Sequence, residues 1–252
     1  MQAAIVLAER GFKVTLFEKE SALGGTLNLA DKPPHKGLIE DLIASLKRQM
    51  EVFGVDVKLG TDATPEMVKK LDPVGVFVAG GAQPIIPKMP GIDGANVVTA
   101  ESVVRGEVKP TGKVVVVGTG MTGLETSEML GEAGCELTLV EMVDTVGPGL
   151  FAVILNELMD RINAFSPTIL TSHKLLSVSP TGVELEKMAD GSKVSVDADY
   201  VVLSLGVSPR KGVVEAYEAE FMNVFAIGDA RKGGRIYDTM RDGYNTAFVF
   251  EP

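Results

Sequence analysis

Residues 113–141 read KVVVVGTGMTGLETSEMLGEAGCELTLVE, and the order of their signals decides the fold. KVVVVG at 113–118 is an almost wholly apolar run, the pattern of a strand at the centre of a parallel sheet. Gly118, Gly120 and Gly123 then satisfy GxGxxG. Residues 121–133 read as a helix, and ELTLVE at 136–141 reads as a second strand ending on a carboxylate. In such a unit the first glycine permits the turn, the second lets a pyrophosphate approach the backbone, and the third lets the helix pack closely. The helix N-terminus offers free N–H groups and the positive end of its dipole to phosphates. Glu141 stands where a carboxylate can accept hydrogen bonds from a ribose diol. GxGxxG alone is weak, and the bland alternative is a glycine turn beside a surface glutamate. Strand, helix and terminal acid together favour a nucleotide site.

The unit occurs twice. Residues 1–18 (MQAAIVLAERGFKVTLFE) align without gaps on 124–141 (LETSEMLGEAGCELTLVE). Leu7, Glu9, Gly11, Thr15, Leu16 and Glu18 meet Leu130, Glu132, Gly134, Thr138, Leu139 and Glu141. Glu18 is therefore the ribose carboxylate expected of the first copy, against a solvated strand-end charge as the alternative. The third glycine of that copy would fall just before Met1, so the first strand and glycine loop are expected to lie outside the sequence. FAD binding by this chain alone is accordingly expected to be weakened.

Outward from these copies, residues 38–53 carry a helical stripe of Leu38, Ile39, Leu42, Ile43 and Leu46. Short strands are expected at 55–59 and 74–81, the latter running into Ala79-Gly80-Gly81. PIIPKMPGIDG at 84–94 is too rich in proline and glycine for regular structure and reads as a crossover. Residues 168–204 read as an antiparallel flap and a returning strand, and 206–222 as a second crossover. A strand and turn at 223–230 and a helix at 237–250 close the chain. Two crossovers imply an α/β protein of two Rossmann-like dinucleotide-binding domains, one inserted in the other. The expected domains are 1–98 with 212–252, an FAD-type domain, and 99–211, an NAD(P)H-binding domain.

Composition narrows the function. Hydrophobic residues make up 45% and charged residues 23% of the 252, ordinary values for a globular protein. The net charge of −10 disfavours nucleic acid as a partner. No apolar run reaches membrane-spanning length, and the opening segment lacks the basic start of a signal peptide. A cytoplasmic location is expected, and the oligomeric state is not legible. Cys135 is the single cysteine, so no dithiol relay or cysteine metal cluster forms within these residues. No tyrosine has a lysine four residues on, which argues against a short-chain dehydrogenase. His35 reads as an exposed loop residue and His173 as structural. Gly24-Gly25-Thr26-Leu27 permits close approach of a ligand to the backbone, with a plain loop as the alternative. Asp229 after Gly228 either serves a cofactor or caps the final helix.

Four segments carry a family resemblance: FEKESALGGTLNLADKPPHKG, VFVAGGAQPIIPKMPGIDG, VVVVGTGMTGLETSEML and VFAIGDARKGGRIYDTMRDGYNTA. Across nearly its whole length the chain resembles the C-terminal half of NADH:flavin oxidoreductases of the 2,4-dienoyl-CoA reductase type, relatives of old yellow enzyme. The resemblance implies an electron-input module that passes hydride from NADH or NADPH to FAD. Reduction of an unsaturated substrate would follow in an N-terminal barrel carrying FMN and an iron–sulfur cluster, which is absent here. It implies FAD contacts from Glu18, Gly25, Leu27, Ala79 and Asp229, with Lys19, Gly80 and Gly228 beside them. It implies dinucleotide contacts from Gly118, Gly120, Gly123 and Glu141. Glu141, with Asp144 close behind and no basic residue in 142–145, is expected to favour NADH. The competing expectation is a catalytically silent nucleotide-binding or structural domain.

Overall fold

A computed structural model describes residues 1–252, and the chain divides into two compact units. The first comprises Met1–Asp31, Lys36–Gln83 and Val207–Pro252; the second comprises Lys32–His35 and Pro84–Gly206. Along the sequence, the second is inserted in the first.

The second unit is built on a five-stranded parallel sheet. Its strands are β5 (Val97–Thr99), β6 (Lys113–Val117), β7 (Glu136–Val140), β8 (Thr168–Leu170) and β12 (Tyr200–Leu203), in the order β5-β12-β6-β7-β8. The central strand, β6, explains its own sequence. Val114 and Val116 face one core with residues of α6 (Met121–Glu132) and α7 (Ala152–Asn163), among them Leu124, Leu130, Leu158 and Ile162. That core also takes Ala100 and Val103 of α5 (Ala100–Val104). Val115 and Val117 face the opposite core. There the cover is an antiparallel flap of β9 (His173–Ser179), β10 (Gly182–Lys187) and β11 (Lys193–Asp197). A strand alternates its side chains between faces, so a strand covered on both must be apolar throughout. Each buried valine contributes roughly 1.5–3 kcal/mol.

The first unit has shorter strands. It contains α1 (Gln2–Glu9), β1 (Thr15–Phe17), α2 (Leu27–Ala30), α3 (Gly37–Val52), β2 (Asp56–Lys58), α4 (Pro65–Lys69), β3 (Val76–Val78) and β4 (Ala82–Pro84). After the insertion come β13 (Val207–Pro209), α8 (Lys211–Glu218), β14 (Val224–Ala226), a single 3-10 turn at Gly228–Ala230, and α9 (Ile236–Phe248). β1 pairs in parallel with β2, β3 pairs in parallel with β14, and β4 pairs with β13. Phe77, Phe225 and Phe250 form an aromatic cluster, with ring centroids 5.1–5.5 Å apart. α1 and α9 pack on it through Ala3, Val6, Leu7 and Ala247.

The repeat is structural as well as sequential. α1 ends at Glu9 and α6 at the equivalent Glu132; β1 ends at Phe17 and β7 at the equivalent Val140. Both helices stop in one way. Gly11 and Gly134 adopt φ of 91° and 85°, a left-handed conformation that costs glycine little. Phe12 N–H donates to Leu7 O and Cys135 N–H to Leu130 O, each at 3.0 Å. These four residues are equivalent pairs in the alignment.

Several expected elements change in extent. The strands read at 55–59 and 74–81 shorten to three residues each. The stretch 206–222, read only as a crossover, contains α8, which buries Val214 and Tyr217 three residues apart. α2 and α4 were not anticipated either. α4 begins in a cap in which Thr64 Oγ1 accepts from Met67 N–H at 3.3 Å, with Pro65 in the first turn.

Candidate dinucleotide site

The second unit's site forms at the end of β6. Gly118 N–H donates to Val140 O at 2.8 Å, tying the turn to the neighbouring strand. Gly118 has φ of 97°, and a Cβ there would overlap the Ser204 carbonyl oxygen. A Cβ at Gly123 would overlap the Gly118 carbonyl oxygen. Both positions must stay bare because backbone already fills the space. Gly120 differs: its backbone is ordinary, with φ −63° and ψ 178°, and a Cβ there would meet nothing within 4 Å. The loop is therefore packed beneath its first and third glycines and open over its second. Gly120 caps α6 without a side-chain hydrogen bond. The first-turn N–H groups of that helix are thus left to an external acceptor. An anionic, backbone-hugging group such as a pyrophosphate fits this arrangement.

Glu141 is buried, at 8% exposure, and not a surface charge. Its Oε2 accepts from Thr119 N–H at 2.9 Å and from the Thr119 hydroxyl at 2.8 Å. Its Oε1 accepts from Val143 N–H at 3.1 Å. Thr119 Oγ1 in turn accepts from Gly147 N–H at 3.2 Å. The carboxylate thus binds the glycine loop to the end of β7 and to the segment beyond. Thr119 and Gly147 were not singled out from sequence. Thr119 occupies a variable position of GxGxxG, and no local pattern reports its partners.

In the first unit Glu18 directly follows β1, and its Oε1 accepts from Glu20 N–H at 3.0 Å. It stands within electrostatic reach of the start of α1. The acid and the helix N-terminus stand together, as Glu141 and α6 do in the second unit. Lys19 is exposed, 3.9 Å from Glu20. Gly25 is exposed with free space where a Cβ would lie, and Leu27 opens α2. Ala79 and Gly80 are exposed at the end of β3. Gly228 N–H donates to Asp242 at 2.8 Å. Asp229 Oδ1 accepts from Gly234 N–H and the Thr239 hydroxyl, both at 3.1 Å, and so secures the entry to α9.

The remaining singled-out residues play no part in these loops. His35 is exposed, has φ of 66°, and lies 3.9 Å from Glu128. His173 opens β9, its Nδ1 2.6 Å from Thr171 O. Cys135 is buried, which raises its thiol pKa.

A parallel sheet with a glycine turn opening a helix, a buried acid at the next strand end, and a repeat of that unit define a nucleotide-binding module of the flavin- and pyridine-nucleotide-dependent oxidoreductases. Residues 1–245 match the model of the pyridine nucleotide-disulphide oxidoreductase family, and the chain belongs to that family. It is 36% identical over 250 residues to the bilirubin reductase of Mediterraneibacter gnavus, covering 99% of this chain and 39% of that one. It is 32% identical over 253 residues to an NADH oxidase of Thermoanaerobacter brockii, covering 98% of this chain and again 39% of the relative. Among solved structures, a 2-naphthoyl-CoA reductase complex superposes with a TM-score of 0.92 at 27% identity, covering all of this chain and 38% of that one. The chain thus spans about two fifths of the length of these relatives. No helix is long and apolar enough to cross a membrane.

Proposed function

We propose that this chain is the electron-input module of a flavin-dependent reductase, taking hydride from NADH into FAD. The second unit holds the nicotinamide dinucleotide and the first unit the FAD. The observation that carries this reading is the glycine loop closed beneath Gly118 and Gly123 and open over Gly120. The two cofactors supply the hydride chemistry when bound, so the chain needs no acid–base side chain of its own. Its task is positioning. Gly120 lets the pyrophosphate reach the backbone, the N-terminus of α6 offsets its charge, and Glu141 orients the adenosine ribose. Glu18, Lys19, Gly25, Leu27, Ala79, Gly80, Gly228 and Asp229 form the corresponding FAD set. Glu141 favours NADH, because the 2′-phosphate of NADPH would meet a carboxylate.

The relatives' greater length supports a further proposal. Electrons leave the module for an N-terminal barrel of the whole reductase, through an iron–sulfur cluster to FMN, and reduce an unsaturated substrate there. A disulfide relay within this chain is not available, because Cys135 stands alone.

The test is anaerobic addition of NADH to the FAD-loaded protein while flavin absorbance is followed. Bleaching with one NADH per FAD is the expected result. Tight binding of both nucleotides without bleaching would overturn the proposal in favour of a silent binding domain.

A further inference from the structure

We infer that Thr119 is the positioning residue for dinucleotide choice, and that it restricts Glu141 to accepting a single ribose hydroxyl through Oε1. This rests on the NADH reading of the second unit and refines it.

The argument is a count of acceptor sites. A carboxylate offers about four, two on each oxygen. Oε2 takes both Thr119 donors, the N–H at 2.9 Å and the hydroxyl at 2.8 Å. Oε1 takes Val143 N–H at 3.1 Å. One site remains, on Oε1. The carboxylate thus has no capacity to clamp both hydroxyls of a ribose diol symmetrically.

The same contacts fix where the charge sits. Thr119 is 1% exposed, and its hydroxyl also accepts from Gly147 N–H at 3.2 Å. Its hydroxyl hydrogen is committed to Glu141 and its oxygen to Gly147, so the side chain has one arrangement. Val143 and Gly147 N–H groups hold the two ends of the network on the segment after β7. Glu141 therefore cannot swing away from an incoming 2′-phosphate without breaking hydrogen bonds from the glycine loop itself. Rejection of a 2′-phosphate needs a charge that stays in place, and the Thr119 hydroxyl supplies that restraint.

Thr119→Val keeps the shape and the N–H but removes the hydroxyl. Glu141 then gains freedom to turn, and Gly147 N–H loses its acceptor. Dissociation constants for NADH and for NADPH, each measured by fluorescence titration of the purified chain, read the outcome. The expected result is NADPH binding improved by about tenfold, because turning Glu141 away from the phosphate no longer breaks a charge-assisted hydrogen bond, with NADH binding changed less. The ratio of the two constants shrinks accordingly. Thr119→Ser, which retains the hydroxyl, restores the ratio. A merely structural role would weaken both dinucleotides equally, and that result overturns the inference. So does an unchanged ratio in Thr119→Val when Glu141→Gln abolishes it. If Thr119→Val does not fold, Thr119→Ala carries the same expectation and the same refutation. Wild-type chain that binds neither dinucleotide, or prefers NADPH, refutes the NADH reading itself and is distinguishable from both.

Discussion

Replacing Gly120 and Gly123 by alanine, one at a time, separates binding from stability within four residues of one loop. At Gly120 the backbone already has the dihedrals of an ordinary residue, and an added methyl meets nothing within 4 Å. The variant should fold, losing at most about 1 kcal/mol because alanine caps a helix less well than glycine. The methyl nevertheless fills the space through which a pyrophosphate must reach the backbone. A hydrogen bond to a charged group is worth roughly 1.5–3 kcal/mol, so losing one weakens NADH by about ten- to a hundredfold. At Gly123 the methyl overlaps the Gly118 carbonyl oxygen, which is backbone and cannot turn aside. α6 must shift against the loop, and overpacking of this kind costs about 1–3 kcal/mol. The gain in helix propensity, near 1 kcal/mol, offsets part of it. Denaturant unfolding followed by far-ultraviolet circular dichroism reads stability, and NADH fluorescence titration reads binding. Wild-type NADH affinity in Gly120→Ala would refute the assignment of this loop. A Gly123→Ala variant more stable than the wild type would refute the account of why the third glycine is bare.

Two more predictions concern groups remote from the loop. Glu128 is 2% exposed on α6, and Arg161 of α7 donates to it through Nε at 2.5 Å. Arg161→Met leaves a buried carboxylate without its strongest partner and should cost about 3–5 kcal/mol in denaturant unfolding, whereas the double change with Glu128→Met should recover most of that. Tyr217 donates its hydroxyl to Ala63 O at 2.7 Å. Burial, and then the charges of Asp62 and Glu66, raise its pKa. The folded chain holds the phenolic proton more tightly than the unfolded one, so this stabilisation is present below the ordinary phenol pKa of about 10 and is lost as pH rises through the folded value. Tyr217→Phe should flatten the alkaline end of the stability profile, and an unchanged slope would contradict it.

How much of this was legible depended on whether the signal was local. The valines of β6 and the spacing of Gly118, Gly120 and Gly123 are short-range patterns, and the structure keeps them. The repeat was legible because two copies of a helix, a glycine cap and a strand bury equivalent residues, so Leu7 and Leu130 remain alike under the same packing. α8 was missed although Val214 and Tyr217 have helical spacing. The whole stretch 206–222 reads as a crossover, and burial of one face makes a helix within it. α4 carried a readable start in Thr64-Pro65, but five residues give too little periodicity to register.

Glu141 marks where sequence reading stops. Its type and its position at a strand end were visible; its surroundings were not, because they come from Thr119, Val143 and Gly147 through folding. From sequence, the acid was either a ribose ligand or a surface charge. In the structure it is buried and already holds three donors from its own chain. Those bonds give a physical reason for a glutamate here that does not depend on any ligand. Replacing it would loosen the glycine loop as well as remove a ribose contact, so loss of NADH binding in a Glu141 variant could not by itself establish contact with the ribose. The ratio of NADH to NADPH affinity is the better measure. Loosening of the loop weakens both dinucleotides, whereas only a carboxylate facing the ribose distinguishes a hydroxyl from a phosphate.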